Sequence, residues 1–160
     1  QVISVARGLF ELPFEGEKFE IIEADGAEYI KTLRGGTDIL LVDGFDGVQI
    51  IDALVAEPFF ADCRTALSEH GIFVTNWWSG DKRYPLFLQR LAQVFDQRVL
   101  CVPAETHGNV AVLAFQNQAP QPLAALQKKA AKLGEQYGLD FKTMLHQAHV
   151  PPDSTWQWLR

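Results

Sequence analysis

Residues 40–47 read LLVDGFDG: a run of aliphatics that stops at Asp43 and, three residues on, Asp46. Taken back to Asp38, the run DILLVD has the length of a strand and no polar alternation. That is the pattern expected of a strand covered on both faces in a parallel sheet, with a helix on each side. Downstream, EPFFADCRTALSEHG (57–71) sets Phe59 or Phe60, Cys63, Ala66 and Leu67 at helical spacing, with Pro58 in the first turn and Gly71 just past the end. GIFVTNWW (71–78) is the next predicted strand. YPLFLQRLAQVF (84–95) follows as a helix, with Pro85 in its first turn and Leu88, Leu91, Val94 and Phe95 as its apolar stripe. RVLCV (98–102) and NVAVLAF (109–115) are two more strands, separated by the loop PAETHG.

Upstream of the opening stretch, KFEIIEAD (18–25) reads as a short strand running into an acidic turn, and GAEYIKTL (26–33) as a helix ended by Gly35-Gly36. QVISVARGLF (1–10) is helical in pattern, with Val2, Val5, Ala6 and Leu9 on one face. Strand and helix alternate through residue 97 and two strands then follow in succession, which predicts an open α/β sheet whose last strand is antiparallel. From Gln118 the composition turns to Ala, Gln and Lys. PLAALQKKAAKLGEQYG is a helix by propensity, and LDFKTMLHQAHV a second short helix before Pro151-Pro152. The expected organisation is a sheet domain over 1–117 and a helical C-terminal extension over 118–160 packed on it.

At 160 residues and 48% hydrophobic the chain can bury a sizeable core. A formal charge of −6 argues against a nucleic-acid or anionic-membrane surface, because both require clustered Lys and Arg. Cys63 and Cys101 have neither metal-ligand spacing nor partners and read as small buried hydrophobes of a reducing compartment. No basic segment precedes an apolar run, and no apolar run approaches the ~20 residues needed to span a bilayer, so a cytoplasmic location is expected.

Carboxylates at the carboxyl end of a parallel strand sit where open α/β sheets gather ligands. Asp43 is therefore the strongest candidate: an ionised carboxylate in such a mouth can hold an ammonium group or take its proton. Asp46 can point into the same opening if Gly44 lets the backbone turn sharply. The ordinary alternative is that both acids only bond turn amides or cap the next helix. In EADG (23–26), Asp25 can accept from the exocyclic amine of a base while Gly26 leaves room for a ring, and it can equally cap the helix that follows. Of the adjacent indoles Trp77 and Trp78, one is expected in the core and the other on a pocket. Asp81 reads as a helix cap, and Glu105 and His107 as a polar loop or pocket rim. His146 and His149 stand i, i+3 on a predicted helix without a further ligand, so surface histidines are the expected reading. Ser4, Ser68, Ser79 and Ser154 lack a nucleophile elbow.

LLVDGFDG, together with VISVARGLFELPFEGEKFEIIEADGAEYI (2–30), resembles the spermidine synthase family. The resemblance runs over residues 1–117 in the family's order: a VI-x-VAR helix, a strand ending AD-G, a D-x-LLVD-x-x-D strand and turn, an FF helix, and GIFVTN. It implies a class I methyltransferase-like Rossmann fold, three-layer αβα, truncated at the N-terminus. The family's glycine-rich loop and ribose-gripping acid would lie upstream of Gln1, along with central strands between residues 18–23 and 38–43. Those two segments would then pair directly, or leave a gap for another chain.

The resemblance further implies transfer of an aminopropyl group from decarboxylated S-adenosylmethionine to an amine, with no tightly bound cofactor and no metal. Asp25 matches the carboxylate that contacts the adenine amino group, with Gly26 beside it. Asp43 matches the acid that accepts the attacking amine's proton, and Asp46 the acid that holds the amine. The implied partners are a small-molecule amine, a nucleoside and further copies of the chain, with activity expected of a longer parent. The family's turn reads D-S-S-D-P-x-G-P where this chain has DGFDGVQI, so the amine is expected to differ or to be absent. The same fold hosts methyltransferases that use intact S-adenosylmethionine, and a noncatalytic domain kept for assembly is the third reading.

Overall fold

The structure is a computed structural model and describes residues 2–10, 12–13, 15–45, 50–105, 108–117 and 121–159. Strands β1 (Thr37–Val42), β2 (Leu67–Trp78), β3 (Val99–Pro103) and β4 (Asn109–Phe115) form one sheet in the order β1-β2-β4-β3. β1 runs parallel to β2, from Ile39 beside Ile72 to Val42 beside Thr75, and β4 is antiparallel to both β2 and β3. A parallel pair needs a crossover connection. Helix α3 (Glu57–Ala66) supplies it, starting at Pro58 in its first turn.

Helix α4 (Tyr84–Val94) joins α3 on one face of the sheet, as the spacing of their apolar residues predicts. Phe60, Cys63 and Ala66 of α3 and Phe87 and Leu91 of α4 are buried there with Phe73, Trp77, Val99, Cys101, Val112 and Ala114 of the strands. The core is aromatic. Phe60 meets Phe73 edge-on at 5.9 Å and Trp77 at 6.1 Å, and Phe73 stacks on Phe95 at 6.0 Å. Contacts of this kind and the area they bury dominate the stability of a domain this size.

Three expected elements differ. Helix α3 stops at Ala66, and residues 67–70 open β2 instead. Leu67 is extended and buried beside Thr37, and a Cβ on Gly71 would lie 2.8 Å from the Thr37 carbonyl oxygen. Pairing with β1 and burying Leu67 outweighs one more helical turn. Residues 18–23 form no strand and show only an isolated bridge from Gly16 to Phe19. Among the described residues no partner strand reaches them, and a strand without a ladder leaves its backbone groups to water. Third, β1 is not covered on both faces. Leu40 and Val42 pack toward the core, but Ile39 and Leu41 are 63% and 73% exposed.

Helix α1 (Val2–Leu9) forms as its pattern predicts, yet Val2, Val5 and Leu9 of its apolar stripe are exposed. Helix α2 (Gly26–Tyr29) is shorter than its pattern; the chain continues as a 3-10 turn over Ile30–Thr32, and Gly35 then takes a positive φ of 61°. Helix α5 (Leu123–Tyr137) ends at Gly138 in the left-handed region. Helix α6 (Phe141–Gln147) starts at Asp140, whose side chain accepts the Thr143 N–H at 3.0 Å. The two pack together, and His149, just past α6, exchanges backbone hydrogen bonds of 2.8 and 3.0 Å with Cys101 on β3. Trp156 lies 5.5 Å from Phe115 and covers part of the second face of the sheet.

Candidate functional site

Asp43 follows β1 directly and is exposed. Strand alternation puts it on the open face with Ile39 and Leu41. Its Oδ1 accepts a long hydrogen bond of 3.4 Å from Nδ2 of Asn76 on the neighbouring strand. Along β2, Ile72, Val74, Asn76 and Trp78 make the more exposed row, while Phe73, Thr75 and Trp77 face the core. Asn76 and Trp78 therefore stand in succession on the face that carries Asp43.

Gly44 does not act through a special φ. The glycines with positive φ among the described residues are Gly35, Gly108 and Gly138. A Cβ on Gly44 would lie 2.2 Å from Leu54 Cδ1, so the glycine makes room for Leu54, and its carbonyl accepts the Ile51 N–H at 3.3 Å. Phe45 bridges to Ile50. Asp46 and the rest of 46–49 lie outside the described residues, as do Thr106 and His107.

Trp77 is buried among Phe60, Tyr84 and Phe87, and Trp78 is half exposed. The Trp78 indole is braced by two glycines. A Cβ on Gly80 would sit 2.4 Å from its ring, and one on Gly108, at φ 70°, would sit 3.3 Å from Nε1. Ser79 ties this corner together, its N–H and Oγ–H both donating to the Gly108 carbonyl at 2.8 and 2.7 Å. In front of the indole opens a cleft of about 440 Å³ lined by Phe45, Ile50, Trp78, Gly80, Asp81, Lys82 and Arg83.

Arg83 lines the cleft as well. It donates to both carboxylate oxygens of Asp81 at 3.1 and 2.8 Å and to Asp52 at 2.5 Å. The loop before α4 is thereby clamped to the 3-10 turn Asp52–Val55. Hydrogen bonds from the Arg83 side chain and backbone hold the Asp81 carboxyl below the usual carboxylate range. Asp81 thus organises the turn that leads into α4 but does not cap it as expected, because the N-cap position is Arg83 and the backbone N–H that Asp81 accepts is that residue's own.

Asp25 caps α2: its Oδ1 accepts from the N–H groups of Ala27 at 2.8 Å and Glu28 at 3.2 Å. Oδ2 takes no hydrogen bond from the described residues, and a Cβ on Gly26 would meet nothing within 4 Å. The cap and the open space beside it coexist. His146 is on α6 but His149 is not, so the predicted i, i+3 helical pair does not form. Among the described residues no three His, Cys, Asp or Glu side chains cluster closely enough to hold a metal, and no helix is long and apolar enough to cross a membrane.

The spermine/spermidine synthase domain matches residues 2–124, most of the chain. The chain belongs to the spermine/spermidine synthase family. A polyamine aminopropyltransferase of Neisseria meningitidis is 70% identical over 146 residues, which cover 91% of this chain and 56% of the relative. The chain spans about half the length of the curated relatives it matches. A spermidine synthase solved in complex with the transition-state analogue AdoDATO superposes with a TM-score of 0.60 at 26% identity, over 72% of this chain and 43% of that one. Human methyltransferase-like protein 13, solved with SAH, superposes with a TM-score of 0.68 at 20% identity, over 96% and 70% of the two chains. That likeness bears on fold alone. The fold of this family member is α/β and class I methyltransferase-like, with a mixed sheet and helices.

Several contributors to the site were not singled out from the sequence. Phe45 and Ile50 belong to the cleft because the backbone bridges between them, and Asp52 meets Arg83 across 31 residues. One signal was available: Asn76 and Trp78 are two apart in a strand and must share a face.

Proposed function

We propose that this chain carries the amine-handling part of a polyamine aminopropyltransferase. The observation that carries the reading is the position of Asp43: exposed, at the carboxyl end of a parallel strand, on the sheet's open face beside Asn76. Family membership supports it. In this reading Asp43 binds the ammonium of the acceptor amine and then takes its proton. The free amine attacks the aminopropyl carbon next to the sulfonium, the carbon–sulfur bond breaks, and its electron pair leaves on sulfur as methylthioadenosine. Asp46, three residues on in the sequence, holds the amine. Asp25, through its unengaged oxygen, and Gly26, through the space beside it, serve the adenine of decarboxylated S-adenosylmethionine, the co-substrate.

The reading gives residues 1–117 to the C-terminal part of the methyltransferase-like domain and 118–160 to a helical extension. It assigns turnover to a cytoplasmic assembly of full family length. Calorimetry on the protein at full family length tests it. Decarboxylated S-adenosylmethionine is expected to bind more tightly than the intact cofactor, and Asp43→Asn to weaken 1,4-diaminobutane by about tenfold or more, the scale of losing a charge-assisted hydrogen bond. Preference for intact S-adenosylmethionine would make the protein a methyltransferase. Binding of neither nucleoside would leave a noncatalytic domain.

A further inference from the structure

The family's turn carries small hydroxyl residues between its two acids, and this chain puts Phe45 there. Val42 pairs with Thr75 and Asp43 meets Asn76; two residues past Asp43 the chain bridges from Phe45 to Ile50, two past Asn76 stands Trp78, and the cleft brings these two rings together. An acid and an amide thus stand side by side just past β1, and two residues beyond each comes an aromatic ring. Both rings line the same cleft, and both are partly exposed, Phe45 at 42% and Trp78 at 50%. The indole is not loose, because Gly80 and Gly108 leave it a fitted seat. Exposed aromatic surface costs free energy in water and is relieved by an apolar or cationic neighbour.

The polar lining of the cleft is different. The Arg83 guanidinium there is already shared by Asp81 and Asp52, and Lys82 adds a positive charge at the rim. Asp43 does not itself line the cleft but stands two residues before Phe45, and a carboxylate there with aromatic walls beyond it fits a primary amine whose carbon chain runs between the rings.

We propose that Phe45 and Trp78 form the wall along which the carbon chain of the amine held at Asp43 lies, and that this pair determines which amine is taken. The inference rests on the reading of Asp43 as the amine's anchor. The attachment point is Asp43, and selectivity comes from the rings, so the two roles separate experimentally.

The test titrates the protein at full family length with ethylamine, butylamine, hexylamine and 1,4-diaminobutane. Each methylene laid on the rings is expected to tighten binding roughly fourfold in the unsubstituted chain. Trp78→Ala and Phe45→Ser are expected to flatten that dependence, so that butylamine binds little better than ethylamine, whereas Trp78→Phe retains most of it. Asp43→Asn is expected to weaken every amine by a similar factor and leave the chain-length dependence in place. If Asp43→Asn weakens binding but neither ring substitution alters the chain-length dependence, the inference falls and the amine reading stands. If the unsubstituted chain binds no amine, or binds it equally well as Asp43→Asn, the amine reading falls and takes the inference with it. Circular dichroism of each variant identifies a fold defect. Because Phe45 and Trp78 lie on different segments, one folded ring variant decides the matter.

Discussion

Two glycines at opposite ends of β1 do different work, and the difference is measurable. A Cβ on Gly71 would meet the Thr37 backbone oxygen and the Leu67 Cβ, both at 2.8 Å, and neither can move without disturbing the β1–β2 pairing. Gly71→Ala is therefore expected to destabilise the fold by about 1–3 kcal/mol in urea denaturation, the cost of overpacking. A Cβ on Gly44 would meet the tip of Leu54, which can change rotamer, so Gly44→Ala is expected to cost less. The buried thiols make a second point. Burial pushes the Cys63 thiol up to about 12 and raises Cys101 as well. Neither is expected to react with iodoacetamide at pH 8 until the protein is denatured, whereas solvent-exposed thiols would react under native conditions.

At the scale of elements, the two faces of β1 behave as different materials. On the core side, β2 and the helices α3 and α4 form an aromatic cluster in which Phe60 touches Phe59, Phe73 and Trp77. Phe60→Ala is expected to cost about 3–5 kcal/mol, read as a fall in denaturation midpoint. On the other side Ile39 and Leu41 stand in water. Ile39→Thr or Leu41→Thr is expected to change stability by no more than about 0.5 kcal/mol, as ordinary surface substitutions do. Had the strand been covered on both faces, as DILLVD suggested, those substitutions would each cost several times more. The contrast arises because hydrophobicity along a strand records what the residues can bury against, whereas exposure depends on which layers are there.

Over the whole molecule, an ion network closes the end of the fold opposite the site. Arg64 of α3 and Arg98 both donate to Oδ2 of Asp96, at 2.6 and 2.9 Å, while Arg64 also reaches the Val94 carbonyl and Gln116. Hydrogen bonds from Arg64, and then Arg98, hold the Asp96 carboxyl below its ordinary 3.8, and Arg83 does the same for Asp81. A depressed carboxylate stabilises the fold above its unfolded pKa, and that contribution is lost as pH falls through the lower folded value. Acid denaturation is thus expected to begin below about pH 4, and Asp96→Asn to reduce the loss of stability there, in thermal melts from pH 6 to pH 2. Much of the architecture was legible in the sequence. The helices over 2–9, 84–94 and 123–137 and the strands over 37–42, 99–103 and 109–115 follow from apolar spacing, Pro85 in a first turn and the helix propensity of the Ala-Lys segment, because these are local matters of backbone geometry. The sequence also singled out Asp43 at a strand end, and Trp77 and Trp78 as opposed in role. Tertiary structure alone decided that 18–23 makes no ladder, that Leu67 belongs to a strand, and that Phe45, Ile50 and Trp78 share a cleft with Asp81 and Arg83. Those outcomes depend on partners 30 or more residues away or on layers of the sheet, and no local pattern encodes which neighbour a face will meet.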